Sequence, residues 1–480
     1  MRLFKKENET VHVLCFPDEE VEKGDYLVIE DFKSKKSLLV QVVDIQFVNF
    51  PGLMEDLLRD NLTETSVFGD DFDPLNLESQ IILLRDARIL VGKIRCSIEG
   101  KKINMNVSWL PSRTSSRIYK IEVEKLFELL NLGRKRPIKV GETKRGSELL
   151  IDAEDLDGGL SIITGRKGTG KSHLAKLLML GLVDHGAPCV VFDVNGEYVN
   201  LGFHKNGEKN QYYDKIVVLE PGRNFKVNLM YVGKNVLTNI LAYVLGLPET
   251  SLREFFRVWN ETQKTGFVTL KKIKEFIRIS DLNEHVKEAI LSRLYILESF
   301  SFFTEEDQIL KVEDVLVKIS NGGIIVLNLS RVSSLERKIV VEFMLGKLVE
   351  MLRKWIVKAI FLFAEEAHLY LRETYWEDIV TRMRHLGLFT VFITNQPDSI
   401  QEDIYRQADS IFLFNFKNEN DLNVISKVAK VDGETMKSIA NSLEPHHCLT
   451  IGQITREVPV VIKIKELDIK TMGETRKFFN

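Results

Sequence analysis

The stretch "LSIITGRKGTGKSHLAKLLML", residues 160–180, constrains the fold more than any other part of the chain. An apolar run of strand type enters a glycine-rich turn, and a segment with apolar residues at helical spacing leaves it. Gly165, Gly170, Lys171 and Ser172 fit the pattern G-x-x-x-x-G-K-[ST], in the strand-to-helix context that the pattern requires. Glycines let backbone N–H groups curl around phosphate oxygens with no Cβ in the way. A helix starting near Lys171 adds the positive end of its dipole. The loop residues Gly165, Gly168, Thr169, Gly170, Lys171, Ser172 and His173 are therefore expected to hold a nucleoside triphosphate, ATP. The Lys171 ammonium is expected at the β- and γ-phosphates, and the Ser172 hydroxyl on Mg²⁺. Arg166 and Lys167, inside the loop, are read as solvated.

Such a unit needs a sheet to sit in. After about residue 145 the apolar runs "LSIIT", "PCVVFD", "KIVVL", "GIIVLNL", "AIFLFA", "FTVFIT", "SIFLF" and "CLTIG" alternate with helical segments. Near-continuous apolar runs belong to strands buried on both faces, hence to an α/β sheet covered by helices. Ligands of open α/β sheets sit beyond the carboxyl ends of the strands. Four runs end there in polar residues: Thr164, Asp193 in "VVFDVNGEY", Glu365 and Glu366 in "FLFAEEAH", and Thr394 and Asn395 in "VFITNQP". Adjacent residues of an extended chain point to opposite sides. One carboxylate can then support the Mg²⁺ shell through water while its neighbour orients the attacking water; Glu365 takes the first role and Glu366 the second. Asn395 is expected to sense the γ-phosphate by hydrogen bonding. His368, His385 and the pair His446–His447 have no metal spacing and are read as structural.

At 480 residues the chain exceeds one ordinary domain. Its first part reads as β structure, in "TVHVLCF", "GDYLVIEDF", "SLLVQVVDIQFV", "ILVGKIRCSI" and "KKINMNVSWL". A small antiparallel barrel over about residues 1–110 is expected, with the acidic stretch "MEDLLRDNLTETSVFGDDFDPLNLE" as a helix and loop on one side. A helix ending at Gly133 then gives way to a basic connector. The division expected is a barrel domain with connector over 1–140, an ATPase core in two parts over 141–233 and 321–455, a helical insertion over 234–320 between them, and a strand and tail over 456–480. Phe255, Phe256 and Trp259 of the insertion are read as core.

The formal charge of −3 gives no general attraction for a polyanion, so any nucleic acid must be met by positive charge gathered on one face or in one channel. Cys15, Cys96, Cys189 and Cys448 are far apart and sit in or beside apolar runs, the pattern of buried thiols in a reducing compartment. No run reaches the roughly 18 apolar residues of a membrane span, and the start lacks a signal-peptide core. A cytoplasmic enzyme is expected.

Taken together, these elements resemble the HerA branch of the HerA/FtsK ATPases over nearly the whole chain. The resemblance rests on a barrel similar to the family's HAS barrel, "GRKGTGKS", "FDVNGEY" against Asp-x-x-Gly-Glu-Tyr, "EEAH" as the Walker B ending, and "TNQP" against a Ser/Thr-Gln-x-Pro sensor. The fold it implies is an α/β, RecA-like P-loop NTPase domain with a helical insertion, preceded by the small antiparallel β-barrel. It places Asp193 and Glu197 at the nucleotide, and Gln396 beside Asn395 as an equal sensor candidate. It implies a homohexamer that hydrolyses ATP between subunits and moves double-stranded DNA through its centre. The nuclease NurA is the usual partner in DNA-end resection, and other effectors serve in phage defence. In "TRMRHLG", Arg384 aligns with the family's second trans-acting arginine, and Arg382 lies one place from the first. The tail resembles one that braces the next subunit. The competing reading is an ATP-dependent hexameric scaffold that assembles and gates an effector nuclease.

Overall fold

The computed structural model describes residues 1–47, 87–100, 102–133, 135–142, 148–370, 383–416, 419–428 and 433–470. The acidic stretch, parts of the basic connector, Arg382 and the last ten residues lie outside the described residues. The chain forms two compact units. One comprises Met1–Leu132 with Val431–Ser442 and Val458–Val461; the other comprises Gly133–Lys430, Leu443–Glu457 and Ile462–Asn480.

The first unit is built on an antiparallel sheet of β1 (Arg2–Glu7), β2 (Thr10–Cys15), β3 (Tyr26–Asp31), β4 (Lys36–Phe47), β5 (Arg88–Glu99), β6 (Lys102–Asn104) and β7 (Ser116–Ile121). Its order is β1-β2-β5-β4-β3-β7, with β6 on β5. Strand β2 shows why: Val11, Val13 and Cys15 are buried while the residues between them are half-exposed, the alternation of a sheet with one wet face. Val11, Val13, Leu27, Ile29, Leu38 and Leu90 share one core. Strands β1 and β7 extend the sheet beyond the apolar runs seen in the sequence. In β1 only Leu3 is buried, so no apolar run marks it. It is set by pairing with β2 through a two-residue turn, Glu7 opposite Thr10, in which Asn8 takes φ +51°.

The second unit holds a hairpin, β8 (Pro137–Glu142) with β9 (Glu148–Asp152), and the strands of a nine-stranded sheet. These are β10 (Leu160–Thr164), β11 (Pro188–Asp193), β12 (Ile216–Leu219), β13 (Gly323–Asn328), β14 (Ile360–Ala364), β15 (Leu388–Thr394), β16 (Ser410–Leu413), β17 (His447–Gly452) and β18 (Val460–Lys463), of which Ile462 and Lys463 belong to this unit. All eight apolar runs are among them. The order is β12-β13-β11-β14-β15-β10-β16-β17-β18, parallel from β12 to β16. Every residue of β10, β13, β14 and β15 is buried, as helices on both faces require.

This order, and not the order along the chain, builds the site. Strands β11, β14, β15 and β10 lie side by side, with Phe192 opposite Ala364, Ala364 opposite Phe392 and Thr164 opposite Thr394. Four strand ends far apart in sequence thus become neighbours. Helix α1 (Lys171–Asp184) follows the loop after β10, and Gly181 lets the β8 hairpin close on it: a Cβ there would overlap the Ile138 side chain. Helices α2 (Glu249–Lys264), α3 (Leu270–Ile279) and α4 (Glu284–Ser299) occupy the stretch between β12 and β13. They bury Phe255 and Trp259 in the main core, while Phe256 is half-buried.

Beyond β18 the chain runs back over the base of α1. Ile464 N–H donates to His446 O at 2.8 Å and Lys465 N–H to Val140 O at 3.0 Å. The Lys465 carbonyl in turn meets His173 Nε2 at 2.8 Å.

Candidate active site

The loop between β10 and α1 has the shape its sequence foretells. Gly168 and Gly170 take φ +79° and +115°, in the left-handed region that favours glycine. Gly165 has no room for a side chain, since a Cβ would overlap Phe414. Backbone bonds brace the loop from just after β16 and just before β17: Arg166 N–H donates to Asn415 O at 3.2 Å, and His446 N–H to Thr169 O at 3.0 Å. Arg166 and Lys167 are exposed, as read. Lys171, the first residue of α1, is 7% exposed and turns its ammonium onto the Arg166 carbonyl at 2.9 Å. Burial holds its pKa below the ordinary lysine value, with Glu366, Glu365 and Glu197 pulling the other way.

The two glutamates part company at the end of β14. Glu365 is 2% exposed, and both its oxygens are held: Ser172 Oγ donates to Oε1 at 3.0 Å and the Tyr198 hydroxyl to Oε2 at 2.6 Å. Burial pushes its carboxyl up to about 8. Glu366 takes φ +46°, rare for a residue with a side chain. The acids therefore diverge through a left-handed turn at Glu366, where the sequence reading relied on strand alternation alone. Glu366 Oε1 accepts from Asn395 Nδ2 at 3.3 Å, and Oε2 lies 3.5 Å from His368 Nδ1. Burial raises the Glu366 pKa too, and Lys171 lowers it in part.

Glu366 Oε2 and Asn395 Oδ1 are both buried without a hydrogen-bond donor. Two such acceptors on hydrogen-bonded side chains are what an ordered water or a hydrated cation satisfies. The hard oxygen donors of Ser172 and Glu365 likewise suit Mg²⁺, and the Lys171 ammonium suits phosphate oxygens. The residues present thus fit a Mg²⁺–nucleotide.

Other predicted residues turn elsewhere. The buried Asp193 spends both oxygens on its own loop, accepting from Glu197 N–H and Tyr198 N–H, each at 2.9 Å. It caps the loop that delivers Tyr198 to Glu365, and burial lifts its pKa to about 6. Glu197 is half-buried, and its charge acts on Lys171, Lys176 and both catalytic candidates. His173 points to the chain beyond β18, not toward the loop. Gln396 is exposed and its Oε1 accepts from Ser399, whereas Asn395 faces Glu366.

Arg384 stands in the turn Met383–Leu386 before β15, with Nη1 3.1 Å from Asp409 Oδ2; the same oxygen accepts Leu160 N–H at 2.8 Å. Both contacts lie at the amino ends of β15 and β10, so within one chain Arg384 is across the sheet from Lys171. Sequence reading missed Tyr198, Lys176, Tyr370 and the contacts of His368. Tyr370 donates to the Glu365 carbonyl at 2.9 Å, and His368 Nδ1 also lies 3.2 Å from Thr394 Oγ1. The available signals were a tyrosine closing "DVNGEY", a lysine one turn after Ser172, and a histidine two places after Glu366.

The family model described as "Helicase HerA, central domain" matches residues 138–348, from β8 through the phosphate loop and on past β13. The DNA double-strand break repair helicase HerA of Sulfolobus acidocaldarius is 22% identical over 496 residues, covering 97% of this chain and 92% of that protein. A probable helicase of Methanocaldococcus jannaschii is 21% identical over 428 residues, covering 80% and 78%. Among solved structures, VirB4 of Thermoanaerobacter pseudethanolicus superposes with TM-score 0.52 and 14% identity, over 70% of this chain and 98% of that one. The bacterial plasmid coupling protein TrwB in complex with ADP and Mg²⁺ does so with TM-score 0.52 and 14% identity, over 73% and 94%. At those identities the structural likeness is one of fold. The phosphate loop and the paired acids thus lie in one unit with the stretch that matches the HerA central domain, and the chain is similar to HerA-type P-loop ATPases over nearly its whole length.

Proposed function

We propose that the protein is an ATP-hydrolysing motor that assembles as a homohexameric ring and translocates or unwinds double-stranded DNA. The observation that carries this is the meeting of Lys171, Ser172, Glu365 and Glu366 at the carboxyl ends of β10 and β14, the two strands that flank β15. In this reading Lys171 neutralises the β- and γ-phosphates, and Ser172 with Glu365, partly through water, holds Mg²⁺. Glu366 orients the attacking water and is itself aimed by Asn395 and His368. The charge of the transition state is met by Arg384 of the adjacent subunit, with Arg382 as second candidate. The match to a protein named as a double-strand break repair helicase supports DNA as the track and repair as the setting. A nuclease similar to NurA is the partner we assign, or a defence effector in its place.

The test is ATP hydrolysis with and without linear duplex DNA, alongside a translocation assay. DNA should stimulate turnover, and Glu366→Gln should abolish turnover and movement together. Should ring assembly and control of an associated nuclease survive Glu366→Gln intact, the scaffold reading replaces the motor.

A further inference from the structure

The loop "DVNGEY" at the end of β11 makes its hydrogen bond to the site through Tyr198. Tyr198 is fully buried, and its hydroxyl donates to Glu365 Oε2 at 2.6 Å. The opposite oxygen, Oε1, receives Ser172 Oγ at 3.0 Å. One carboxylate is thus gripped from both sides, by the helix of the phosphate loop and by the loop of a neighbouring strand. Tyr370 holds the Glu365 backbone and leaves the carboxylate free, so Tyr198 alone fixes the second oxygen among the described residues.

The grip has its own support. Asp193 ties down the N–H groups of Glu197 and Tyr198, and this sets where the tyrosine ring emerges. Lys176 lies one helical turn after Ser172, on the same face of α1. Its ammonium is 5.1 Å from the centre of the Tyr198 ring, and the residue is only 2% exposed. Glu197, Glu365 and Asp193 are the charges that act on it. A buried cation among three acids offsets part of their mutual repulsion while standing behind the ring and not at the phosphates.

We infer that Tyr198 is a positioning residue, which locks the Glu365 carboxylate so that Oε1 and the Ser172 hydroxyl face the metal, with Lys176 as the counter-charge behind it. This rests on the reading of Ser172 and Glu365 as the Mg²⁺ side of the site. Partners that orient a metal-supporting carboxylate typically affect metal affinity by about 10- to 100-fold. Removing the hydroxyl should therefore weaken metal binding while leaving the phosphate loop, and with it metal-free nucleotide binding, intact.

The experiment uses full-length Tyr198→Phe, which keeps the buried ring, beside Glu365→Gln and Glu366→Gln. Three quantities are measured: the Mg²⁺ concentration giving half-maximal ATP hydrolysis, Mn²⁺ binding to the protein–ADP complex by electron paramagnetic resonance, and binding of a fluorescent ATP analogue in EDTA. For Tyr198→Phe we expect the Mg²⁺ requirement and the Mn²⁺ Kd to rise by about 10-fold or more. Turnover should recover at saturating metal, and analogue binding in EDTA should be unchanged. Glu365→Gln should weaken metal binding further, and Glu366→Gln should slow turnover without moving the Mn²⁺ Kd. Unchanged metal affinity in Tyr198→Phe with a clear loss in Glu365→Gln would show that the tyrosine only packs. Equal loss of analogue binding in EDTA would likewise reduce it to a fold element. If Glu365→Gln leaves metal affinity unchanged as well, the metal-side reading fails, and the inference with it.

Discussion

Glu366 reaches the site through a backbone conformation at φ +46° that costs a residue with a side chain about 1–3 kcal/mol. The strain separates two adjacent acids into different surroundings, Glu365 between two hydroxyls and Glu366 between an amide and an imidazole. Their chemistry should separate in the same way. Lys171→Ala is expected to lose nucleotide binding, whereas Glu366→Gln should still bind ATP but turn over at least about a hundredfold more slowly, as equilibrium binding and single-turnover kinetics will show. Burial also gives the protein's stability a pH dependence. The Glu365 pKa rises from an ordinary 4.5 to about 8, so its contribution to folding is fully present below the lower value and lost as pH rises through the upper one. Thermal unfolding of the nucleotide-free protein should therefore shift down progressively between about pH 5 and 8 relative to Glu365→Gln, and level off above. Parallel curves for the two proteins would count against it. Both acids were legible in the sequence because polar residues end an apolar run; the left-handed turn at Glu366 was not, nor was the tyrosine on Glu365, which lies 167 residues away in the chain.

At the level of elements, what could be read followed burial. Strands covered on both faces announce themselves as unbroken apolar runs, and all eight in the second unit did so. The hairpin β8–β9 was passed over as a basic connector because its strands are partly wet: Pro137 and Glu148 are exposed, while Ile138, Val140, Leu149 and Ile151 face inward. Strand order was equally hidden, since nothing in the chain says that β10 inserts between β15 and β16. The contact of this hairpin with α1 allows two effects to be weighed. Gly181→Ala should favour the helix by about 1 kcal/mol. The new methyl, however, would press on Ile138, whose Cβ is 3.1 Å from it, and overpacking costs about 1–3 kcal/mol. A net fall in melting temperature is expected, and the fall that Gly181→Ala causes should be smaller in an Ile138→Ala background. A rise in the single variant would mean that the hairpin gives way freely.

For the whole molecule, the position of Arg384 matters most. In one chain it is paired with Asp409 at the amino end of the sheet, the far side from the phosphate loop. If it serves catalysis, it serves a neighbour's site. Arg384→Ala and Lys171→Ala subunits, each inactive alone, should then recover part of the ATPase activity when mixed under conditions where mixed rings form. Absence of recovery there would assign Arg384 to holding Asp409. The motifs made the single-chain machinery legible, but an arrangement of copies leaves no periodicity in a sequence, and so the proposed ring rests on resemblance.

The segment after β18 has a consequence for anyone shortening this protein. Residues 464 and 465 are stitched to His446, whose own N–H braces the phosphate loop at Thr169, and to His173 on the third position of the following helix. Trimming the chain back to Lys463 would remove more than a polar end: it would unfasten the rear wall of the nucleotide cradle from 292 residues away. Such a truncated protein should bind ATP more weakly than the full chain, as titration with a fluorescent analogue would reveal, while its two sheets still fold.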